Sequence, residues 1–348
     1  MANLFPQPCD EGVIRARRTI VPCARVSEPW ILAATILGSS MAFIDGTVVN
    51  VALPALQKNL DATAFDVQWV VESYALFLAA LLLAGGSMGD RFGRRRIFCS
   101  GVALFALASI ACGQATSVEQ LIAARAFQGM AGALLVPGSL AIISASFDES
   151  RRGQAIGTWS GFTAITTGFG PVLGGWLIEH ASWRAVFFIN VPLALVVLLI
   201  SWLHVPESKD GASTPLDWAG TALATLGLGT LIYGLIESSR LGFGHSLVFA
   251  TLIGGVLSLA IFFLIEARSA HPMLPLTLFR SLNFSGANLF TLFLYTALGG
   301  GMFFLPLNLI QVQEYSATAA GAAWLPFILI LFALSRWSGG LVKRYSPK

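Results

Sequence analysis

The sequence predicts an all-α polytopic membrane protein, on three observations. Hydrophobic residues make up 55% of the 348 and charged residues only 11%, with a mean hydropathy of +0.74. The apolar residues come in runs long enough to cross a bilayer, which takes about 20 residues in a helix. These runs do not alternate apolar with polar, so they do not read as barrel strands; in hydrocarbon the helix is then what satisfies every backbone N–H and C=O.

Ten runs qualify: 31–53, 68–89, 97–115, 119–143, 155–178, 185–205, 216–236, 247–266, 284–308 and 318–338. Residues 1–29 hold arginines and prolines but no apolar stretch of signal-peptide length, and read as an uncleaved cytoplasmic tail. The first six runs follow one another through short connections and form one unit, 30–205. The polar stretch PESKDGASTPLD, Pro206 to Asp217, is the first long linker. It opens a segment of two further runs, 206–270. A second polar stretch, Glu266 to Asn283, precedes the last two, in 271–348.

Lys and Arg set the orientation, because cytoplasmic loops carry the excess. With the N-terminus inside, sixteen of the 21 fall on inner segments, and only Lys58, Arg184 and Arg240 on outer ones. Both termini are therefore expected in the cytoplasm. The net charge of +3 follows from this loop bias, and nothing in it calls for nucleic acid.

The turn GSMGDRFGRRR, Gly86 to Arg96, joins runs two and three and sits where a gate would sit. Its glycines allow close approach, Asp90 offers a charge to a partner helix, and Arg91 and Arg94 to Arg96 hold the loop inside. Asp45 lies about fifteen residues into the first run, roughly 22 Å at 1.5 Å per residue. A carboxylate at that depth is costly unless it protonates or pairs with a cation, which is the behaviour a proton-coupling site needs. Arg125 is the one basic residue within the first six runs. Glu72, about a turn inside run two, could recognise cationic substrates. Phe43, Trp69, Tyr74, Gln128 and Phe162 are candidates to line a cavity for lipophilic compounds. In run five GFGPVLGG sets Pro171, which leaves one carbonyl without its helix donor, beside Gly170, Gly174 and Gly175, spaced for close helix packing.

Several chemistries find no support. Cys9, Cys23, Cys99 and Cys112 have neither metal-ligand nor redox spacing, and the four histidines do not cluster. GGSMG around Ser87 matches the GxSxG pattern, but it ends a membrane helix, whereas a nucleophile elbow needs a strand, a strained turn and a helix. There is no GxxxxGKS phosphate loop. No enzyme, cofactor or metal is expected.

Four motifs carry a resemblance: DGTVVNVALP from Asp45, the Gly86–Arg96 turn, LIAARAFQG from Leu121, and GFGPVLGG from Gly168. Together they closely resemble the major facilitator superfamily and, within it, the fourteen-span drug/proton antiporters. WRAVFFINVP from Trp183, PLTLFRS from Pro275 and the run through Gly321 to Pro326 extend the likeness. Thr166 and Glu314 stand where that family usually has Gly. A last echo, GGLVKRYSPK from Gly339, is similar to the first turn. The resemblance implies a major facilitator fold: a six-helix N bundle, two linker helices, and the first two helices of a C bundle, incomplete at its C-terminus. It implies that spans one and four line the cavity, with Arg125 paired to Asp45 as the proton-coupling set. The turn with Gly86, Asp90, Arg91, Gly93 and Arg94 would latch the bundles, and the Gly170–Gly175 motif would govern closure. The expected activity is proton-gradient-driven efflux of lipophilic small molecules across the cytoplasmic membrane, with membrane lipid around the chain and a partner chain as one source of missing helices. The alternatives are a truncated chain without transport of its own, or a carrier of different substrate or direction.

Overall fold

The computed structural model describes residues 27–209, 217–269, 274, 276–330 and 334. The regular elements among the described residues are all helices, without strands. The helices are α1 Glu28–Leu60, α2 Ala64–Phe92, α3 Arg94–Gln114, α4 Val118–Ser146, α5 Glu149–His180, α6 Ala185–Phe188, α7 Asn190–His204, α8 Trp218–Leu241, α9 Ser246–Arg268, α10 Leu282–Gln311 and α11 Ala317–Ala322. Nine helical segments among the described residues are long and apolar enough to cross a membrane, with α6 and α7 together making one. The tenth expected span is represented by the shorter apolar helix Ala317–Ile330; its remainder, the tail 1–26 and the echo at Gly339 lie outside the described residues.

Helices overrun the apolar runs at their ends. Hydropathy marks only the part suited to hydrocarbon, while the hydrogen-bond ladder continues through polar residues such as Gln57 and Lys58. Starts are set by capping side chains: Thr63 and Asp66 form a reciprocal capping box at α2, and Ser117, Asp217, Ser281 and Ser316 each accept a backbone N–H at theirs. Two readings change. The sixth run divides into α6 and α7 at Ile189, where Pro192 removes the donor that would bond the Phe188 carbonyl. The Gly86–Arg96 turn is mostly helix; α2 continues to Phe92 and the reversal is concentrated at Gly93, whose φ of 115° suits glycine alone.

Helix α1 is central and packs on α5, α7 and α4, while α4 packs on α2 and α3. The α8–α9 hairpin leans on this group through α2, α10 meets α1, and α11 lies on α5. Two apolar clusters fill the α1–α7 group. One gathers Ile31, Met41, Tyr74, Phe98, Phe105, Leu135 and Val197 toward the end carrying the Gly86–Arg96 segment. The other gathers Val48, Leu56, Val70, Leu121, Trp183 and Phe187 toward the opposite end. Along each helix the residues between the clusters are polar: Asp45 on α1, Ser109 on α3, Arg125 and Gln128 on α4, Asn190 on α7.

Candidate functional site

These five residues form one buried polar layer, each 0–1% exposed. Arg125 Nη1 donates to Asp45 Oδ2 in an ion pair, and to Gln128 Oε1 at 2.8 Å. The other carboxylate oxygen, Asp45 Oδ1, accepts from Gln128 Nε2 at 2.8 Å and from Asn190 Nδ2 at 3.1 Å. Ser109 Oγ accepts from the same two amides at 3.2 and 2.9 Å and donates to the Phe187 carbonyl at 2.8 Å. Arg125 Nε donates to the Val70 carbonyl at 3.1 Å. Its guanidinium lies over the Tyr74 ring, 4.2 Å from the centroid, with Phe187 at 6.0 Å. Tyr74 is itself held by its hydroxyl, which donates to the Ala42 carbonyl at 2.9 Å.

An ion pair taken out of water survives only if its remaining donors and acceptors are met, and here α2, α4 and α7 supply the direct partners, with Ser109 of α3 holding the two amides. The layer fixes the Asp45 carboxyl and the Arg125 guanidinium in mutual contact, and Arg125 has further partners in Gln128, Val70 and the Tyr74 face.

The structure brings together Asp45, Arg125, Gln128 and Tyr74. The other cavity candidates lie apart. Phe43 packs against the first apolar cluster, and Phe162 is 52% exposed. Trp69 stacks at a tilt on Tyr233 of α8, 5.8 Å between centroids. Glu72 lies on the same face of α2, between Trp69 and Leu76, both of which meet α8; among the described residues it meets no cation. Ser109 and Asn190 were missed by sequence reasoning. Asn190 carried a signal, being a carboxamide within the WRAVFFINVP motif, whereas Ser109 carried none.

At the Gly86–Arg96 end, Asp90 pairs with Arg94 across the Gly93 break at 2.7 Å. Arg91 is exposed, and Gly86 faces Pro137 of α4. The loop after α7 joins the same place. Glu207 accepts from the Arg95 and Arg96 amides at 3.1 and 3.2 Å, and Arg94 N donates to the Ser208 carbonyl at 2.8 Å. Ser87 lies inside α2, donating to the Leu83 carbonyl at 3.1 Å, so the strand–turn–helix of a nucleophile elbow is absent there.

The span-five motif faces two ways. Gly174 lies against Val48 and Gly170 against Thr47, both on α1, with no room for a Cβ at Gly174. Gly175 meets the backbone at Ala317, and the Pro171 carbonyl meets Gly321 of α11. Pro171 deprives the Thr167 carbonyl of its helix donor; the Thr47 hydroxyl, two residues from Asp45, lies 3.1 Å from it and shares its one hydrogen among that carbonyl and those of Ile44 and Phe43 at 3.0 and 3.2 Å. Thr166, where the resembled family usually has Gly, bonds Ser40 of α1 at 2.7 Å. Glu314, at another such Gly, has φ of 59°, the left-handed region that glycine favours.

Among known proteins the chain is 36% identical over 321 residues to the tetracenomycin C resistance and export protein of Streptomyces glaucescens, a match covering 92% of this chain and 60% of that protein. It is 36% identical over 318 residues to the multidrug resistance protein Stp of Mycobacterium tuberculosis (91% and 59%), and 36% identical over 321 residues to the puromycin resistance protein pur8 of Streptomyces alboniger (92% and 64%). The chain thus spans about three-fifths of the length of these relatives. Among solved structures, a peptide transporter POT in complex with sulfate has the same fold, with a TM-score of 0.63 at 16% identity over 97% of this chain and 74% of that one. The family model for the Major Facilitator Superfamily matches residues 35–348, which takes in every helix but the first turns of α1, and the chain belongs to that superfamily.

Proposed function

We propose that the chain works as a proton-coupled exporter of lipophilic small molecules, cations among them, of the fourteen-span drug/proton antiporter type. One observation carries the reading: a carboxylate and a guanidinium, both fully buried at mid-depth of a membrane bundle, linked through Ser109, Gln128 and Asn190 to α3, α4 and α7. Intramembrane ionisable pairs of this kind mark proton relays. The exporter names of the curated relatives support the direction and the drug-like substrates.

In this reading a proton entering from outside binds Asp45 and releases Arg125 from its ion pair. The change reaches α5 through the Thr47–Thr167 bond and the Val48–Gly174 contact, and from α5 reaches α11 through Gly175 and Pro171. Asp90, Arg91, Arg94 and the glycines at 86 and 93 form the cytoplasmic gate. The first six spans act as one bundle, 206–270 as inserted linker helices, and 271–348 as the start of the second bundle, with both termini cytoplasmic. An apolar groove of about 530 Å3 between α2, α3 and α4 includes Ala124 and Ala108, the immediate neighbours of Arg125 and Ser109. Its size suits a drug-sized lipophile.

The test is ethidium flux in proteoliposomes under an imposed pH gradient. The chain is expected to move ethidium against its gradient, and Asp45→Asn and Arg125→Ala, inserted normally, to lose at least tenfold of that flux. Full proton-driven flux in both variants overturns the assignment. Glu72→Gln is expected to lower ethidium flux while leaving an uncharged lipophile unaffected.

A further inference from the structure

At the end bearing the Gly86–Arg96 segment, α3 and α7 lie side by side and leave a groove of about 520 Å3 between them. Arg95, Arg96 and Cys99 of α3 line it with Leu198, Leu199 and Trp202 of α7. These side chains are sorted by depth. Arg95 and Arg96 follow the first residue of α3, and Trp202 lies two residues from the end of α7, so cationic and amphipathic groups share one level. Cys99 and the two leucines lie about one turn further along their helices, roughly 5 Å deeper. Trp202 is 74% and Leu199 57% exposed, so the groove opens to the surroundings of the bundle rather than into it.

Charge at the mouth is only partly answered. Glu207 lies 3.8 Å from Arg95 Nε and 3.6 Å from Arg96 Nε, and Arg95 Nη1 also donates to the Val205 carbonyl at 3.1 Å. Two guanidiniums share one carboxylate. The Arg96 side chain, 73% exposed, donates to no residue among the described ones.

We propose that this groove binds one anionic phospholipid of the cytoplasmic leaflet. Arg96 and Arg95 take the headgroup phosphate, Trp202 sits at the glycerol level, and an acyl chain runs along Leu198, Leu199 and Cys99. The occupant follows from complementarity. The net positive mouth selects a phosphate with no cationic group beside it, the interfacial Trp matches the headgroup boundary, and the apolar walls below match a chain rather than a free anion. The leaflet rests on the orientation given above; the groove and its charge do not.

The test is native mass spectrometry of the purified chain titrated with phosphatidylglycerol and with phosphatidylcholine of the same acyl chains. The first lipid is expected to bind about fivefold or more tighter, the factor that ~1 kcal/mol per basic residue implies. Arg96→Gln is expected to reduce that preference about fivefold and Arg96→Lys to keep most of it. Trp202→Ala should weaken both lipids alike, and Arg91→Gln, which removes the same charge outside the groove, should leave the preference unchanged. Equal binding of the two lipids, an equal effect of Arg91→Gln and Arg96→Gln, or displacement by millimolar inorganic phosphate overturns the proposal. No transport is needed for this measurement, so its failure and that of the exporter reading are separate results.

Discussion

Arg125 and Asp45 each depend on the other for their burial, so a single substitution at either leaves a charge without its counter-ion. Breaking a buried pair from one side costs about 3–5 kcal/mol. Arg125→Ala is therefore expected to lower the thermal unfolding midpoint in detergent well beyond what Ser109→Ala does. Asn190 contributes a smaller share: it is one of two donors to Asp45 Oδ1, and Asn190→Ala should cost about 1–3 kcal/mol, read in the same melt. An unchanged melt for Asn190→Ala would remove it from the layer. Asp45 and Arg125 were legible because a charge inside an apolar run is rare and needs a reason. Ser109 and Asn190 were not, since small polar side chains are common in membrane helices and only the fold shows what they reach.

Two of the prolines inside the helices, Pro171 and Pro137, free carbonyls that face a neighbouring helix. Pro171 frees Thr167, which Thr47 bonds at 3.1 Å. Pro137 frees the Ala133 carbonyl, which faces Gly85 of α2 so closely that a Cβ there would run into it. Each of these prolines thus stands opposite a small or hydroxylated residue of the facing helix. Thr47→Val keeps the shape and removes the donor; it is expected to destabilise the chain by ~0.6 to 1.7 kcal/mol, the range for interhelical hydrogen bonds in membranes, with the change in hydrogen exchange concentrated around residue 171. An effect spread evenly over the chain would count against a local role. Sequence showed the proline and the Gly170–Gly174 spacing, but not that Thr47 stood opposite.

At the scale of the whole molecule, the α1–α7 group meets the later helices along α2 and α5 and at the tip of α1. Gln311 Nε2 donates to Gln57 Oε1 at 2.8 Å, joining the last turns of α10 and α1. Glu179 at the end of α5 accepts from the Thr318 amide and hydroxyl at 2.8 and 2.7 Å, and Gly175 and Pro171 press on α11 beside it. These contacts join the tips of α1 and α5 to α10 and α11. Cysteines replacing Gln57 and Gln311 are expected to cross-link readily when the purified chain is oxidised, and cross-linked protein to lose flux that reduction restores. Failure to cross-link, or full flux in the cross-linked form, would show that these tips do not move against each other.

The sequence by itself determined the helical class, the order of the nine apolar spans found among the described residues and the two charges that could not lie in hydrocarbon unanswered, because hydropathy and charge act locally and leave their mark residue by residue. It also marked the glycine and proline positions at which helices approach. Only the tertiary structure decided that Asp45 and Arg125 share one layer with Gln128, Ser109 and Asn190, that Trp69 faces α8 instead of that layer, and that Glu207 caps α3. Those facts depend on which helix faces come together, and helix packing is settled by side chains distant in sequence whose partnership no local pattern records.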